Sequence, residues 1–344
     1  DTAVLQYTGG TTGVSKGAQL LHKNLVANMM QVRELIVDIL DGDREVMIAP
    51  LPLYHIYAFT VSLVMSDMGH EMVLIPNPRD IPGFVKELSK HKFSSFAGLN
   101  TLFVALCNNK EFNALDFSHL KHTISGGMAL TEAAASTWQN VTGCQIQEAY
   151  GLTETSPAVS FNPYRDIRIG TIGKVVTGTQ VKVISEDGTD LGFDQEGELC
   201  VKGPQVMAGY WQRPEATAQV MDADGWFKTG DVAILAEDGF IRLVDRIKDM
   251  INVSGFNVYP NEIDDIASQH SGILECAAVG IPNSVSGETV KLFVVKSDPN
   301  LTADDVISHC REHLTAYKVP KEVEFRDDLP KTNVGKILRR ALRD

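Results

Sequence analysis

The apolar positions of this chain follow two rhythms. From Leu20 to Leu40 they recur at helical spacing, through Leu25, Met29, Val32 and Ile36, and Asp41-Gly42-Asp43 closes the run. Residues 46–49 form a short apolar run closed by Pro50 and Pro52, which predicts a buried strand. From Met72 to Gln147 the two patterns alternate, with strands expected at 72–75, 94–97, 122–125 and 145–147 and helices at 81–90, 101–108 and 131–141. That alternation predicts a mostly parallel sheet with helices on both faces. Ligands of such sheets sit at the carboxyl ends of the strands. Three polar or glycine-rich clusters fall there: Gly98-Leu99-Asn100, Ser125-Gly126-Gly127, and Ala149 to Thr155.

After Gly170 the texture changes. Short strands at 180–184 and 197–202 alternate with Gly, Asp and Pro turns, which predicts a β-barrel-like subdomain, with Trp211 and Trp226 as core aromatics. A charged crossover follows, Asp245-Arg246-Ile247-Lys248-Asp249, which by itself reads as a solvated face. Beyond it, segments 263–268, 277–280, 290–295, 303–313 and 323–325 suggest a small α+β unit. The expected fold class is therefore α/β: an incomplete, mostly parallel sheet domain with a β-barrel-like subdomain, then a small α+β C-terminal domain. The expected boundaries are 1–247, divided into 1–170 and 171–247, and 248–344.

Composition narrows the partners. With 344 residues the chain is long enough for two cores. A net charge of −13 argues against broad binding to nucleic acid or to an anionic surface. Five cysteines without CxxC spacing suit a reduced, cytoplasmic protein. No run of 18 apolar residues occurs, and no segment reads as a signal peptide.

The chemistry concentrates in a few stretches. Tyr7 to Ala18 reads YTGGTTGVSKGA, with Val4 and Leu5 leading in as the end of a strand. Its glycines let backbone N–H groups approach an anion, its Thr and Ser hydroxyls add donors, and Lys16 adds a mobile cation. Such a loop suits nucleotide phosphates, although it is not a Walker A loop, and a flexible surface loop is the plain alternative. Tyr150-Gly151-Leu152-Thr153-Glu154 combines a ring able to stack on a purine with a carboxylate able to hold Mg²⁺, or Thr-Glu merely caps the next turn. Thr229-Gly230-Asp231 reads in isolation as a turn. His309, Cys310 and His313 share a helix but lack further ligands nearby in sequence, so they read as an ordinary helix surface. The basic end, from Lys331, contains Gly335-Lys336 and reads as a solvated or weak anion site.

YTGGTTGVSKGA is similar to the signature phosphate loop of the adenylate-forming enzymes: acyl-CoA synthetases, luciferases and peptide-synthetase adenylation domains. The resemblance continues through QEAYGLTETSP, GELCVKGPQVMAGYWQRPEAT, WFKTGD, RLVDRIKDMINVSGFNVYPNE and PKTNVGKILRRAL. PLPLYHIYAF, NPRDIPGFVKEL and LTAYKVPK look most like bacterial long-chain fatty-acid–CoA ligases.

This resemblance implies ATP, Mg²⁺ and coenzyme A as cofactors or substrates. Thr8, Gly9, Gly10, Thr11, Thr12, Gly13, Ser15 and Lys16 would hold the phosphates, and Gly126 and Gly127 would line the adenylate. Tyr150 and Gly151 would lie at the adenine, Thr153 at the α-phosphate and Glu154 on Mg²⁺. Asp231 and Arg246 would hold the ribose. Lys336 would be the catalytic lysine, Lys248 the hinge of a mobile small domain, and Gly255 part of the pantetheine channel. His55 and Gly98 would belong to the acyl pocket.

The implied activity joins a long-chain fatty acid to AMP and then to coenzyme A. The alternatives are an acyl-AMP ligase with another acceptor and a noncatalytic nucleotide-binding fragment. In the resembled family a large N-terminal part precedes the loop, so the chain is expected to be a truncated form of a longer enzyme. The resemblance also allows a peripheral contact with the inner face of a membrane and a homodimer of the full-length protein.

Overall fold

The computed structural model describes residues 1–8, 15–332 and 335–343. It resolves into two compact units, one of residues 1–130, 134–229 and 233–242, the other of residues 131–133, 230–232 and 243–344.

The first unit opens with β1 (Thr2–Tyr7) and β2 (Gly17–Leu21), an antiparallel pair in which Tyr7 faces Gly17. The residues that the spacing assigns to one long helix thus divide between β2 and α1 (His22–Ile36). The face of α1 that packs inward is partly polar. Asn28 donates to the Ala158 carbonyl at 2.8 Å and accepts from the Ala158 amide at 2.9 Å, and Gln31 donates to the Thr177 carbonyl at 2.6 Å.

The chain continues through β3 (Val46–Ala49), α2 (Ile56–Asp67), β4 (Glu71–Leu74), α3 (Ile81–Leu88), β5 (Ser95–Gly98), α4 (Asn100–Cys107), β6 (His122–Gly126), α5 (Glu132–Thr142), β7 (Ile146–Gly151), β8 (Ala158–Phe161) and β9 (Lys174–Val175). The sheet order is β4-β3-β5-β6-β7-β8-β9. Pairs from β4 to β7 are parallel, and those of β8 are antiparallel. Side chains of successive strand residues point to opposite faces. Phe96 accordingly joins a core with Phe84, Phe103, Phe112 and Trp138, while Ala97 joins another with Val32, Ile36, Tyr57, Val61 and Met65. The helix α2 has apolar residues on every side and no amphipathic period, so the hydrophobic pattern does not reveal it.

The β-rich stretch comprises β10 (Gln180–Ile184), β11 (Glu196–Lys202), α6 (Pro214–Val220), β12 (Phe227–Leu235) and β13 (Ile241–Arg246). Its pairings, among the described residues, run in a line from β10 to β13. The expectation that Trp211 and Trp226 are core aromatics is corrected. Trp211 is 43% exposed, and Trp226 is half-buried beneath Lys182, whose Nζ lies 4.5 Å from the ring centre. The tryptophan of the core is Trp138.

The second unit contains β14 (Ile251–Val253), β15 (Phe256–Val258), α7 (Pro260–Ser268), β16 (Ile273–Asn283), β17 (Gly287–Lys296), α8 (Ala303–His313) and β18 (Glu322–Phe325). The sheet runs β15-β14-β17-β16, with β18 parallel to β17. One face packs Ile251, Ile263, Leu292, Val294, Val306 and Cys310, and the other packs Ala277, Val279, Phe293 and Val295 against Leu329 and Leu342. Cys310 is therefore core and not helix surface. Among the described residues no group of three or more His, Cys, Asp or Glu is arranged to hold a metal ion. No helix there is long and apolar enough to cross a membrane.

Candidate active site

The phosphate-loop candidates begin at a hairpin. The Thr8 amide donates to the Lys16 carbonyl at 2.9 Å, so Thr8 and Lys16 sit side by side where β1 and β2 part. Gly9, Gly10, Thr11, Thr12 and Gly13 lie outside the described residues. Ser15 is exposed, and Lys16 Nζ stands 5.0 Å from the ring centre of Tyr210.

The parallel pairing brings the carboxyl ends of β5, β6 and β7 to one edge. Gly98 is opposite Ser125, and Gly126 is opposite Ala149. Tyr150 is buried on β7. His55 precedes α2 and caps it, its Nδ1 accepting from the Tyr57 amide at 3.3 Å. Tyr57 in turn donates to the Ile124 carbonyl at 3.2 Å.

The glycines at this edge have different physical reasons. A Cβ on Gly98 would lie 2.8 Å from the Phe103 ring, and one on Gly151 would lie 2.0 Å from the Pro157 carbonyl oxygen. Packing alone therefore demands glycine at both. At Gly126 a Cβ would meet the Tyr57 ring at 3.4 Å, an ordinary contact. Gly127 has φ of 87°, a left-handed conformation that favours glycine.

After β7, Thr153 and Glu154 lie in a 3-10 turn. Glu154 is buried, and its Oε1 accepts from the Tyr210 hydroxyl at 2.7 Å. Its backbone carbonyl accepts from the Met207 amide at 2.8 Å. Burial first, and then the Glu154 charge, push the Tyr210 hydroxyl well above its ordinary pKa, so it stays a donor. Tyr210 is a partner of the candidate Glu154 that the sequence motifs contain without marking. Its signal would have been an aromatic hydroxyl in the segment that returns to β2, where Ala18 bridges Tyr210.

The remaining candidates belong to the second unit. Asp231 is buried, and its Oδ1 lies 3.1 Å from Arg246 Nε. Lys336 is half-buried, and its pKa is pushed down to about 8. Burial is the main cause, the positive charges of Arg246 and Lys248 add to it, and Asp231 pulls the other way. Lys248 itself is exposed in a 3-10 turn, Ile247–Asp249. Gly255 forms the two-residue loop of the β14–β15 hairpin with Ser254, at φ of 86° and 53°. Both residues are left-handed, as a type I′ turn requires. No described atom lies within 4 Å of the place a Gly255 Cβ would take, so the turn alone explains this glycine.

Two family models match this chain, the AMP-binding enzyme model over residues 1–211 and the AMP-binding enzyme C-terminal domain model over 262–336. The chain belongs to the AMP-binding enzyme family. Among curated members, the long-chain-fatty-acid–CoA ligase of Salmonella typhimurium is 57% identical over 346 residues, which is all of this chain and 62% of that protein. The chain thus spans less than two thirds of that relative. Two solved structures of the family are also similar. The ATP-bound MatB of Rhodopseudomonas palustris is 33% identical with a TM-score of 0.89, and the match covers 100% of this chain and 68% of that one. The anthranilate CoA ligase AuaEII in complex with anthranoyl-AMP is 28% identical with a TM-score of 0.91, covering 99% of this chain and 67% of that one.

Proposed function

We propose that this chain carries the nucleotide site and mobile lobe of a long-chain fatty-acid–CoA ligase that works through acyl-AMP. The observation that carries the proposal is Lys336, a half-buried ammonium beside the Asp231–Arg246 pair. An amine that is protonated only below about pH 8 brings a positive charge that its surroundings do not neutralise, which suits a reaction in which negative charge moves between carboxylate and phosphate oxygens.

In the first half-reaction a carboxylate oxygen of the fatty acid attacks the α-phosphorus of ATP. A carbon-bearing oxygen–phosphorus bond forms as the bond to pyrophosphate breaks. Lys336 stabilises the oxygens between which charge shifts, Thr153 contacts the α-phosphate, and Thr8, Ser15 and Lys16 hold the departing pyrophosphate. The hydroxyl of Tyr210 orients Glu154. Mg²⁺ fits the donor chemistry at Glu154, because it binds few protein carboxylates and completes its shell with phosphate oxygens and water. When bound it would neutralise phosphate charge.

In the second half-reaction the coenzyme A thiolate attacks the acyl carbon. The carbon–sulfur bond forms, the bond to AMP breaks, and the thiol proton passes to solvent. Lys336 is not needed for this step. The lobe turns about Lys248, and the hairpin at Gly255 comes to the pantetheine arm.

The test is an assay of a chain of the relatives' full length with ATP, coenzyme A and fatty acids of graded length, reading pyrophosphate and thioester together. Production of both with long-chain acids supports the proposal. Pyrophosphate without thioester would assign another acceptor, and neither product would leave only nucleotide binding.

A further inference from the structure

Lys336 lies in a hairpin whose two ends are tied down by buried or half-buried charges. Lys331 and Ile337 form a bridge that closes it. Inside, the Thr332 amide donates to the Lys336 carbonyl at 2.7 Å, and the Lys336 amide donates to Thr332 Oγ1 at 3.2 Å. The Leu338 amide donates to the Pro330 carbonyl at 2.7 Å. These bonds set the shape of the hairpin but do not attach it to the sheet.

Attachment comes from Leu329, Ile337 and Leu342, which pack against β16 and β17, and from two cations that flank Lys336. Before it, Lys331 Nζ lies 2.8 Å from Glu275 Oε2 on β16 and 2.6 Å from Asp328 Oδ1. After it, Arg339 donates to Asp264 Oδ2 at 2.5 Å and to Asn261 Oδ1 at 2.9 Å, both on α7. Asp264 is also fixed to β16, since its Oδ1 accepts from the Ala278 amide at 2.6 Å.

A second carboxylate faces Arg339. Asp245 is buried, feels the Arg339 charge, and accepts from the Asn261 amide at 2.8 Å and from the Arg246 amide at 2.7 Å. One guanidinium thus joins the C-terminal side of the Lys336 hairpin to α7 and, through Asp264, to β16, while Asn261 of the same helix carries the link on to Asp245, next to Arg246. Exposed ion pairs contribute little, but removing one partner of a buried set leaves an uncompensated charge and a strong drive to rearrange.

We propose that Arg339 with Asp264 and Asp245, aided by Lys331 with Glu275, is a two-sided clamp that positions Lys336 beside Arg246 and Asp231. Arg339 is a positioning residue here: it acts on the reaction through Lys336. The proposal rests on the role assigned to Lys336 above, but its test does not use the reaction.

The experiment is competitive labelling of lysine amines with an amine-reactive acetylating reagent across the alkaline range, with the Lys336 peptide read by mass spectrometry. In the unaltered chain Lys336 should titrate near its depressed value of about 8. In Arg339→Met, the hairpin comes loose and the amine moves into water. Its titration should then rise toward the ordinary lysine value of ~10.4. Arg339→Lys should restore part of the depression.

A staple that only stabilises the fold would lower the thermal midpoint of Arg339→Met and leave the Lys336 titration unmoved. That result, in folded protein, overturns the clamp. If Arg339→Met does not fold, Glu275→Gln tests the other anchor by the same readout, and an unmoved Lys336 there overturns the proposal equally. The two proposals fail separately. A shifted Lys336 titration with full activity in Lys336→Ala would sink the catalytic role and leave the clamp standing. An unmoved titration with an inactive Lys336→Ala would do the reverse.

Discussion

Arg246 and Asp231 form an ion pair of 3.1 Å in which only the arginine is accessible, with side-chain exposures of 46% and 3%. A buried carboxylate with an accessible cationic partner is able to exchange part of that pairing for hydroxyl donors of a sugar. On a chain of the relatives' full length, Asp231→Ala should weaken ATP binding by roughly 1.5–3 kcal/mol, the range for hydrogen bonds to a charged group. Titration calorimetry reads this directly, and unchanged affinity would remove Asp231 from the nucleotide site.

The same pair acts on the charge of Lys336, after burial, in opposite directions. Burial and the nearby cations favour the neutral amine, so protonated Lys336 is lost as pH rises through about 8. The free-enzyme profile, kcat/KM for ATP in pyrophosphate release, should therefore fall above that pH. Arg246→Ala removes a repelling charge and should move the alkaline limb to higher pH. A limb that stays where it was, or moves down, contradicts this account of the Lys336 environment.

The parallel sheet is legible from the alternation of patterns because its strands are short apolar runs between amphipathic helices, as at 46–49 and 81–88. The carboxyl-edge clusters follow from that alone. Three features are hidden for physical reasons. The helix α2 is apolar all round and has no period. Asn28 and Gln31 pack inward because they bond to backbone, which breaks the hydrophobic face of α1. Tyr210 reaches Glu154 across 56 residues of sequence, a relation that only the fold creates. The motif glycines show the opposite limit, since the sequence marks Gly98 and Gly151 as site residues when packing against Phe103 and Pro157 already requires them.

That packing gives a prediction free of any ligand. A Cβ at Gly151 would sit 2.0 Å from a carbonyl oxygen, so the backbone of β7 or of Pro157 must shift. Gly151→Ala should cost about 1–3 kcal/mol, the usual range for overpacking. Thermal unfolding without nucleotide should show a clearly lowered midpoint, and an unchanged midpoint would return Gly151 to a purely ligand-facing role.

His122 makes the first unit sensitive to acid. It is fully buried on β6, its Nδ1 is 3.0 Å from Ser95 Oγ, and burial pushes its pKa from 6.5 down to about 4. The unfolded chain takes up the proton first as pH falls, so stability is lost from about pH 6.5 and the loss is complete near pH 4. The expected total is about 3 kcal/mol. Urea midpoints across that window should fall in the unaltered chain and fall less in His122→Gln, and equal slopes would show that His122 is not the group responsible.

The central claim is that one lobe serves two half-reactions with different residues. Lys336→Ala removes a charge used only while acyl-AMP forms. Gly255→Asn adds bulk at the hairpin tip with the residue that best tolerates a left-handed turn. The decisive measurement follows pyrophosphate release and thioester formation separately, on chains of the relatives' full length. Lys336→Ala should fail to release pyrophosphate yet convert supplied acyl-AMP to thioester, and Gly255→Asn should form acyl-AMP and stall before thioester. Equal loss of both half-reactions in both variants would contradict the account.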